Sequence, residues 1–113
     1  MTQDNEQIYE GMYVIAANLS DEMRKKAQEK IRMGIEHAGG VIKKDHDLGK
    51  KKLAYPINRH KEGYYILLYF TLPAKEMGML WKEWRLMEDV LRFVTLKVDQ
   101  VMEKIEFKTL VEQ

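Results

Sequence analysis

The sequence predicts an α+β domain with the ferredoxin-like element order βαββαβ. Two observations favour this fold: two segments repeat apolar residues at helical spacing, and four segments carry strand-like apolar runs. In such a domain both helices cover one face of a four-stranded antiparallel sheet. Right-handed crossovers place the first and third strands at the centre of the sheet and the second and fourth strands at its edges.

The first half of the chain is predicted to contain a strand, a helix and a long second strand. Tyr9–Ala16 carries apolar residues on both alternating sets, which is typical of a central strand. Ser20 is a candidate helix cap, and Gly39 and Gly40 suit the helix end. Val41–Ile57 then has the pattern of a strand with an irregular middle. The stripe expected to be buried on the helix consists of Met23, Ala27, Ile31, Gly34, Ile35 and Ala38.

The second half is predicted to contain a strand, a helix and a final strand. After a turn through residues 58–63, Tyr64–Leu72 is apolar on both alternating sets. Pro73 suits the first turn of a helix. Val90–Val98 alternates and is predicted to be the fourth strand. The second helix has an apolar face, expected in the core, made of Met77, Leu80, Trp81 and Trp84.

The size and composition of the chain limit its class. At 113 residues it is long enough for one modest core, so we expect a single domain over residues 9–99, a polar leader over 1–8 and a tail over 100–113. The tail shows no compelling period, and we expect it to be ordered only by a partner. The absence of cysteine excludes disulfides, zinc-thiolate sites and thiol catalysis. With no membrane-spanning run and no signal-peptide core, we expect a cytoplasmic protein.

A basic segment stands out in the predicted second strand. The run Leu48–Ile57 sets three lysines between a glycine and a Tyr-Pro pair. A glycine within a strand often marks a bulge, and a proline confines a strand to the sheet edge. We therefore expect Lys50, Lys51 and Lys52 on an exposed, bent edge strand, where they cannot all share one face. Protection of that edge against aggregation is the alternative interpretation.

Charge is concentrated around this segment. The whole chain has a formal net charge of only +1, whereas residues 43–61 contain seven Lys or Arg against two Asp, a local charge of +5. A local basic field in a nearly neutral protein indicates one phosphate-facing surface. Arg59 lies within this stretch, and we expect Arg92 of the fourth strand to join it.

The face of the sheet without helices is the second candidate site. Because both alternating sets of the central strands are apolar, five side chains are expected to face solvent there and to form a partner surface: Met12, Val14, Tyr65, Leu67 and Tyr69. Stacking of Tyr65 and Tyr69 on bases would instead make an autonomous single-strand RNA binder. The sequence lacks the aromatic motif that such modules carry on their third strand.

No catalytic constellation is recognisable. His37, His46 and His60 are dispersed, and neighbouring residues in the run from Asp45 to Asp47 would point to opposite sides of an extended segment. We therefore expect no enzyme activity, no metal site and no cofactor.

Several motifs together resemble the bacterial small-subunit ribosomal protein six family. They are the Leu-Gly-Lys-Lys-Lys-Leu-Ala-Tyr-Pro-Ile run at Leu48–Ile57, Tyr9-Glu10 opening the first strand, Glu62-Gly63-Tyr64-Tyr65 opening the third and Val90-Leu91-Arg92 opening the fourth. The resemblance extends from about Tyr9 to Asp99.

This resemblance implies a structural protein of the small ribosomal subunit. It would pair with the eighteenth small-subunit protein as a heterodimer, and the two together would bind the central domain of small-subunit ribosomal RNA. By position, the resemblance implies RNA contacts at Lys51, Lys52, Tyr55, Tyr9 and Arg92. A homodimeric ferredoxin-like regulatory module that binds a small ligand is the competing hypothesis.

Overall fold

The computed structural model describes residues 6–102, so the expected C-terminal tail lies almost wholly outside the described residues. The elements are β1 (Glu6–Ala16), α1 (Asp21–His37), β2 (Val41–Ile57), β3 (His60–Pro73), a 3-10 turn (Ala74–Glu76), α2 (Met77–Arg85) and β4 (Val90–Val98). They form one antiparallel sheet with the order β2-β3-β1-β4. The predicted ferredoxin-like order and the central position of β1 and β3 are confirmed.

Local signals in the sequence fix the ends of α1. The Ser20 side chain caps the first turn and accepts a hydrogen bond from the Met23 backbone N–H at 3.2 Å. Gly39 follows the helix with a φ of 95°, a left-handed conformation that glycine adopts without a side-chain penalty. Gly40 then lets the chain pass close to β3 and enter β2.

Both helices pack on the same face of the sheet. Trp84 of α2 is almost wholly buried and meets the rings of Tyr13 and Phe93 edge-on. From α1 the buried stripe consists of Ala27, Ile31 and Ile35. The sheet contributes alternate residues to this core: Tyr9, Tyr13, Ile15, Ile66, Leu68, Phe70 and Leu72.

Two side chains expected in this core lie outside it. Met23, in the first turn of α1, is exposed, and the buried stripe of the helix begins only at Ala27. Trp81 is also exposed, and its indole N–H donates to the Thr95 hydroxyl oxygen on β4 at 3.0 Å. A hydrogen-bond partner at the sheet edge therefore holds Trp81. Of the two tryptophans, only Trp84 is part of the core.

The hairpin between β2 and β3 is tighter than predicted. Its turn consists of Asn58 and Arg59, both with positive φ, at 49° and 71°. Ile57 pairs directly with His60 across the turn. Positive φ at both central residues is typical of the two-residue type I′ hairpin, which matches the twist of the flanking strands. The predicted turn through residue 63 is thus wrong, and β3 begins four residues before Tyr64.

None of the helices described over residues 6–102 is long and apolar enough to cross a membrane.

Substituting alanine at Gly40 tests the close approach of the chain to β3. A Cβ atom there would lie 2.5 Å from the Thr71 carbonyl oxygen and 2.7 Å from the Ile35 side chain. We expect Gly40→Ala to lower the free energy of unfolding by about 2 kcal/mol, measured by urea denaturation. The control is Gly78→Ala in α2, where a Cβ meets nothing within 4 Å. That variant should be more stable by about 0.5 kcal/mol, because alanine has the higher helix propensity. Equal effects at the two positions would contradict the steric explanation.

Candidate functional site

The basic run of β2 follows a bulge, as its glycine predicted. Gly49 has a φ of 84°, and the pairing of β2 with β3 shifts between Asp47 and Gly49. The Asp47 carboxylate accepts a hydrogen bond from the Gly49 backbone N–H at 3.1 Å, which supports the bent conformation. The bulge changes the direction of the strand just before its three lysines.

The three lysines do not share one face. Lys50 and Lys52 are exposed, whereas Lys51 between them is half-buried. They pair in order with Tyr64, Gly63 and Glu62 of β3. The alternation along a strand therefore determines their directions, as the sequence predicted.

Beyond Lys52, β2 leaves its register with β3, and the Tyr55 side chain reaches Arg92 of β4 at the opposite edge of the sheet. Pairing shifts between Lys52 and Ile57. The Arg92 guanidinium on β4 donates to the Tyr55 hydroxyl oxygen at 2.6 Å and lies 5.4 Å from the centre of its ring. Two residues from opposite edge strands thus make a direct contact. The segment Leu53–Ile57 arches over the face of the sheet that the helices leave uncovered, which we call the open face.

Beneath this arch lies an apolar hollow of about 290 Å³. Leu53 forms its buried side, and Arg92 with Tyr55 closes one end. The full lining, which defines the hollow, is Met12, Val14, Lys52, Leu53, Ala54, Tyr55, Ile57, Tyr65, Arg92 and Val94. Val94 is 48% exposed within it. The alternation of β4 could have predicted this position, because Val94 pairs with Met12 and therefore shares its face.

A second depression, next to the turn of the β2–β3 hairpin, is lined by several basic residues. Lys52, Arg59 and Lys61 line it together with Asn18 and other polar residues. Arg59 is exposed at the tip and keeps a left-handed conformation that non-glycine residues rarely adopt. The structure therefore brings Lys52 and Arg59 together, and it adds Lys61, which the sequence analysis counted in the charge but did not single out.

Tyr9 occupies a different position from the other candidate RNA contacts. Its ring is only 5% exposed and stacks on Phe70, with the ring centres 5.8 Å apart, on the helix-covered side of the sheet. Burial also raises the pKa of the Tyr9 hydroxyl. The structure thus places Tyr9 in the core and away from the basic residues of β2.

The open face is less exposed than predicted. Leu67 and Tyr69 are 1% and 0% exposed, and Val14 is also buried, so the expectation that they face solvent is wrong. Only Met12 and Tyr65 among the five are half-buried. The arch near Val14 and the chain after β4 both lie over this face, which the pattern of a single strand does not reveal.

Tyr69 is held by polar contacts. Its hydroxyl donates to the Glu10 carboxylate at 2.5 Å, and the His46 ring meets its ring edge-on at 6.0 Å. The Nε2 atom of His46 lies 2.9 Å from the carbonyl oxygen of Met102. Burial raises the pKa of Tyr69, and the bond to Glu10 and its negative charge raise it further.

The chemistry of the site is that of binding. Within residues 6–102, no group of three or more His, Asp or Glu side chains is placed to hold a metal ion. The polar groups that converge are cations, aromatic hydroxyls and exposed backbone at strand edges. Such groups suit phosphate and protein contacts.

Comparisons with known proteins agree with this description. Residues 8–97 match the family model described as Ribosomal protein S6. The chain is 56% identical to small ribosomal subunit protein bS6 of Protochlamydia amoebophila, over 100% of this chain and 99% of that protein. It is 52% identical to the protein of the same name from Chlamydia abortus, over 99% and 100% of the two chains. The crystal structure of 30S ribosomal protein S6 from Thermotoga maritima superposes with a TM-score of 0.79 at 32% identity, covering 82% of this chain and 88% of that one.

The buried tyrosines predict loss of stability at alkaline pH. The pKa values of Tyr13 and Tyr69 are raised, in both cases chiefly by burial, so the folded protein keeps protons that the unfolded chain releases. Their contribution to stability is complete below the unfolded pKa of about 10 and is lost as pH rises through the folded values. We expect the free energy of unfolding to fall by about 1.4 kcal/mol per pH unit for each of these tyrosines above that pH.

Urea denaturation between pH 8 and pH 12 measures this slope. Tyr13→Phe and Tyr69→Phe should each remove one tyrosine's share of it, and absorbance at 295 nm should show both groups titrating only on unfolding. At neutral pH the two variants should differ in their free energy of unfolding. Tyr69→Phe breaks the bond to Glu10, whereas the Tyr13 hydroxyl is buried without a hydrogen-bond partner in the described structure. Titration of both groups near pH 10 in the folded protein would disprove the assignment.

Proposed function

Because the chain belongs to the ribosomal protein S6 family, we propose that it binds the central domain of small-subunit ribosomal RNA as a heterodimer with the eighteenth small-subunit protein. The chain is a small-subunit ribosomal protein and not an enzyme. It therefore works bound to the ribosome, and the cytoplasm is the compartment that we propose. What needs a structural explanation is how a protein with a net charge of +1 holds RNA.

The basic end of the β2–β3 hairpin supports RNA binding. Lys52, Arg59 and Lys61 share one depression, and Lys50 is exposed on the same strand. Phosphate contacts from such a cluster provide affinity and position, and RNA shape provides the choice of site. The proposed RNA surface is Lys50, Lys51, Lys52, Tyr55, Arg59 and Arg92, with Lys61 added. Tyr9 is left out of it because its ring is packed in the core.

The pair of Arg92 and Tyr55 links this surface to the hollow. Tyr55 is exposed and presents one face of its ring, while its hydroxyl accepts the bond from Arg92. Fixing a guanidinium in this way lowers the entropy that it loses on binding a phosphate. The pair therefore stands where an RNA contact and a protein contact can adjoin.

The hollow and the exposed side of β4 support the protein contact. Val94 and Leu96 are exposed on the open face and continue the apolar surface of Met12 and Tyr65. Exposed apolar surface of this kind, rimmed by cations, suits a protein partner. Val14, Leu67 and Tyr69 lie beneath this surface and support it from within.

Reversing two lysine charges tests the RNA surface. We expect Lys51→Glu with Lys52→Glu to weaken binding of the heterodimer to a central-domain RNA fragment by roughly tenfold or more. The slope of log K against log salt should fall by about 2, because roughly one counterion is released per phosphate contact. Filter binding across a salt series measures both quantities.

The matched control reverses Lys25 and Lys26, which are exposed on α1. That variant has the same net charge but should leave the affinity and the salt slope nearly unchanged. If the two double variants bind RNA equally well, the basic run protects the sheet edge and does not bind phosphates.

A charge placed in the hollow tests the protein contact. Val94→Asp should weaken association with the partner protein by at least about tenfold, because it desolvates a carboxylate against apolar groups. Its fold should survive, since Val94 is already half exposed to solvent. Isothermal titration calorimetry measures the dissociation constant. Met79→Asp, at an exposed position on α2, is the control and should bind normally. A homodimer of the free protein that Val94→Asp dissolves would favour the regulatory-module hypothesis instead.

A further inference from the structure

The chain that follows β4 returns across the open face. β4 and β2 form opposite edges of the sheet, yet the Met102 carbonyl oxygen lies 2.9 Å from Nε2 of His46 on β2. His46 pairs with Leu67 and contacts the Tyr69 ring, so its side chain lies on the open face. Residue 102 therefore lies against that face, with eleven residues of the chain still to follow.

The hollow begins in the same row of the sheet as this contact. His46 pairs with Leu67, Leu67 with Met12, and Met12 with Val94. Met12 and Val94 belong to the lining of the hollow. Three strand spacings separate the two ends of the row, a distance of roughly 14 Å. An extended chain covers that distance in four or five residues, at about 3.3 Å each.

The sequence after residue 102 suits such a surface. The tail has no period over its whole length, but the short run 104–108 alternates. Ile105 and Phe107 are flanked there by Lys104, Glu106 and Lys108, so an extended chain would present its two large apolar side chains on one side. Phe107 lies five positions beyond Met102 and can reach Val94, whereas Ile105 lies three positions beyond and can reach Met12, about 10 Å away at two strand spacings.

We propose that residues 103–113 occupy the hollow in the free protein, with Ile105 and Phe107 against its apolar lining. Tethering at Met102 favours this occupant over any molecule in solution, because a short linker provides an effective concentration of about millimolar. The charge balance of the segment agrees with it, since its three Glu outnumber its two Lys and the rim of the hollow carries the cations Lys52 and Arg92.

A consequence for assembly rests on the proposed function. If the partner protein uses the hollow, it must displace this segment, and the segment then acts as a competitor within the same chain. Removing it should increase the apparent affinity for the partner several-fold without any new contact.

The decisive experiment compares methyl NMR spectra of the free protein with those of a variant that ends at Met102. We expect the methyl signals of Val14, Leu53 and Val94 to shift, while those of Ile31 and Leu80 in the helix-side core stay in place. Ile105→Asp with Phe107→Asp should reproduce the shifts. The matched control is Lys104→Ser with Lys108→Ser, which changes side chains on the opposite side of the extended segment from Ile105 and Phe107. Its spectrum should resemble that of the unmodified full chain.

Two outcomes would overturn the proposal. One is a truncated protein whose shifts are confined to residues 99–102. The other is a set of shifts in the full chain that disappears on dilution, because a second copy would then be the occupant. A peptide of residues 103–113 added to the truncated protein at about millimolar concentration should restore the original signals.

The partner titration separates this proposal from the proposed function. If neither the full nor the truncated chain binds the partner while the methyl shifts occur as expected, the segment occupies the hollow and the heterodimer proposal fails. If both chains bind the partner equally and the methyl signals do not move, the heterodimer proposal stands and the segment does not occupy the hollow.

Discussion

One constraint governs this fold: two short helices can cover only one face of a four-stranded sheet. The central strands are nevertheless apolar on both sides, so the other face also needs cover. The protein provides it from its own edges. The end of β2 arches over the face near Val14, and the chain after β4 returns to His46. Residues 6–102 leave the hollow and the exposed side chains of Val94 and Leu96 without cover. The surface proposed for the protein partner is therefore the part of the open face that residues 6–102 do not cover.

The arch also explains why the charges of the site lie where they do. In a flat sheet Tyr55 and Arg92 would stand on opposite edges, separated by two strands. The bulge at Gly49 and the register shift between Lys52 and Ile57 interrupt the regular strand, and the side chains of Tyr55 and Arg92 meet. Lys52 lies at the border between the hollow and the basic depression. The proposed protein contact and the proposed phosphate contact would thus adjoin on one surface, although the overall charge is nearly neutral.

The sequence predicted the features that depend on local chemistry. The bounds of β2 and β4, the cap at Ser20 and the bulge at Gly49 all follow from residues that act on their own neighbours. The features that it missed depend on tertiary packing. Arg59 carries no local signal for a left-handed turn, and its conformation follows from the twist of the two strands that it joins. The burial of Leu67 depends on chain segments far away in the sequence. The alternation of β3 therefore predicted on which face of the sheet Leu67 lies, but not that other segments cover it there. The same limit applies to Tyr9, whose motif suggested a contact surface and whose ring is in the core.

Arg59 shows how stability and binding divide within this hairpin. A glycine at its position would adopt a φ of 71° without steric cost, whereas an arginine there costs about 1 kcal/mol. The match between the type I′ turn and the twist of the flanking strands offsets that cost, while the side chain itself is exposed at the tip of the turn. Lys52 and Lys61 line the same depression and repel it, and one carboxylate there, that of Glu62, offsets part of this repulsion. An anion shared by the three side chains reverses the sign of that repulsion. Under the proposed function, bound RNA phosphates would relieve this repulsion, whereas the backbone cost at Arg59 remains, because a contact to its guanidinium leaves the φ angle unchanged.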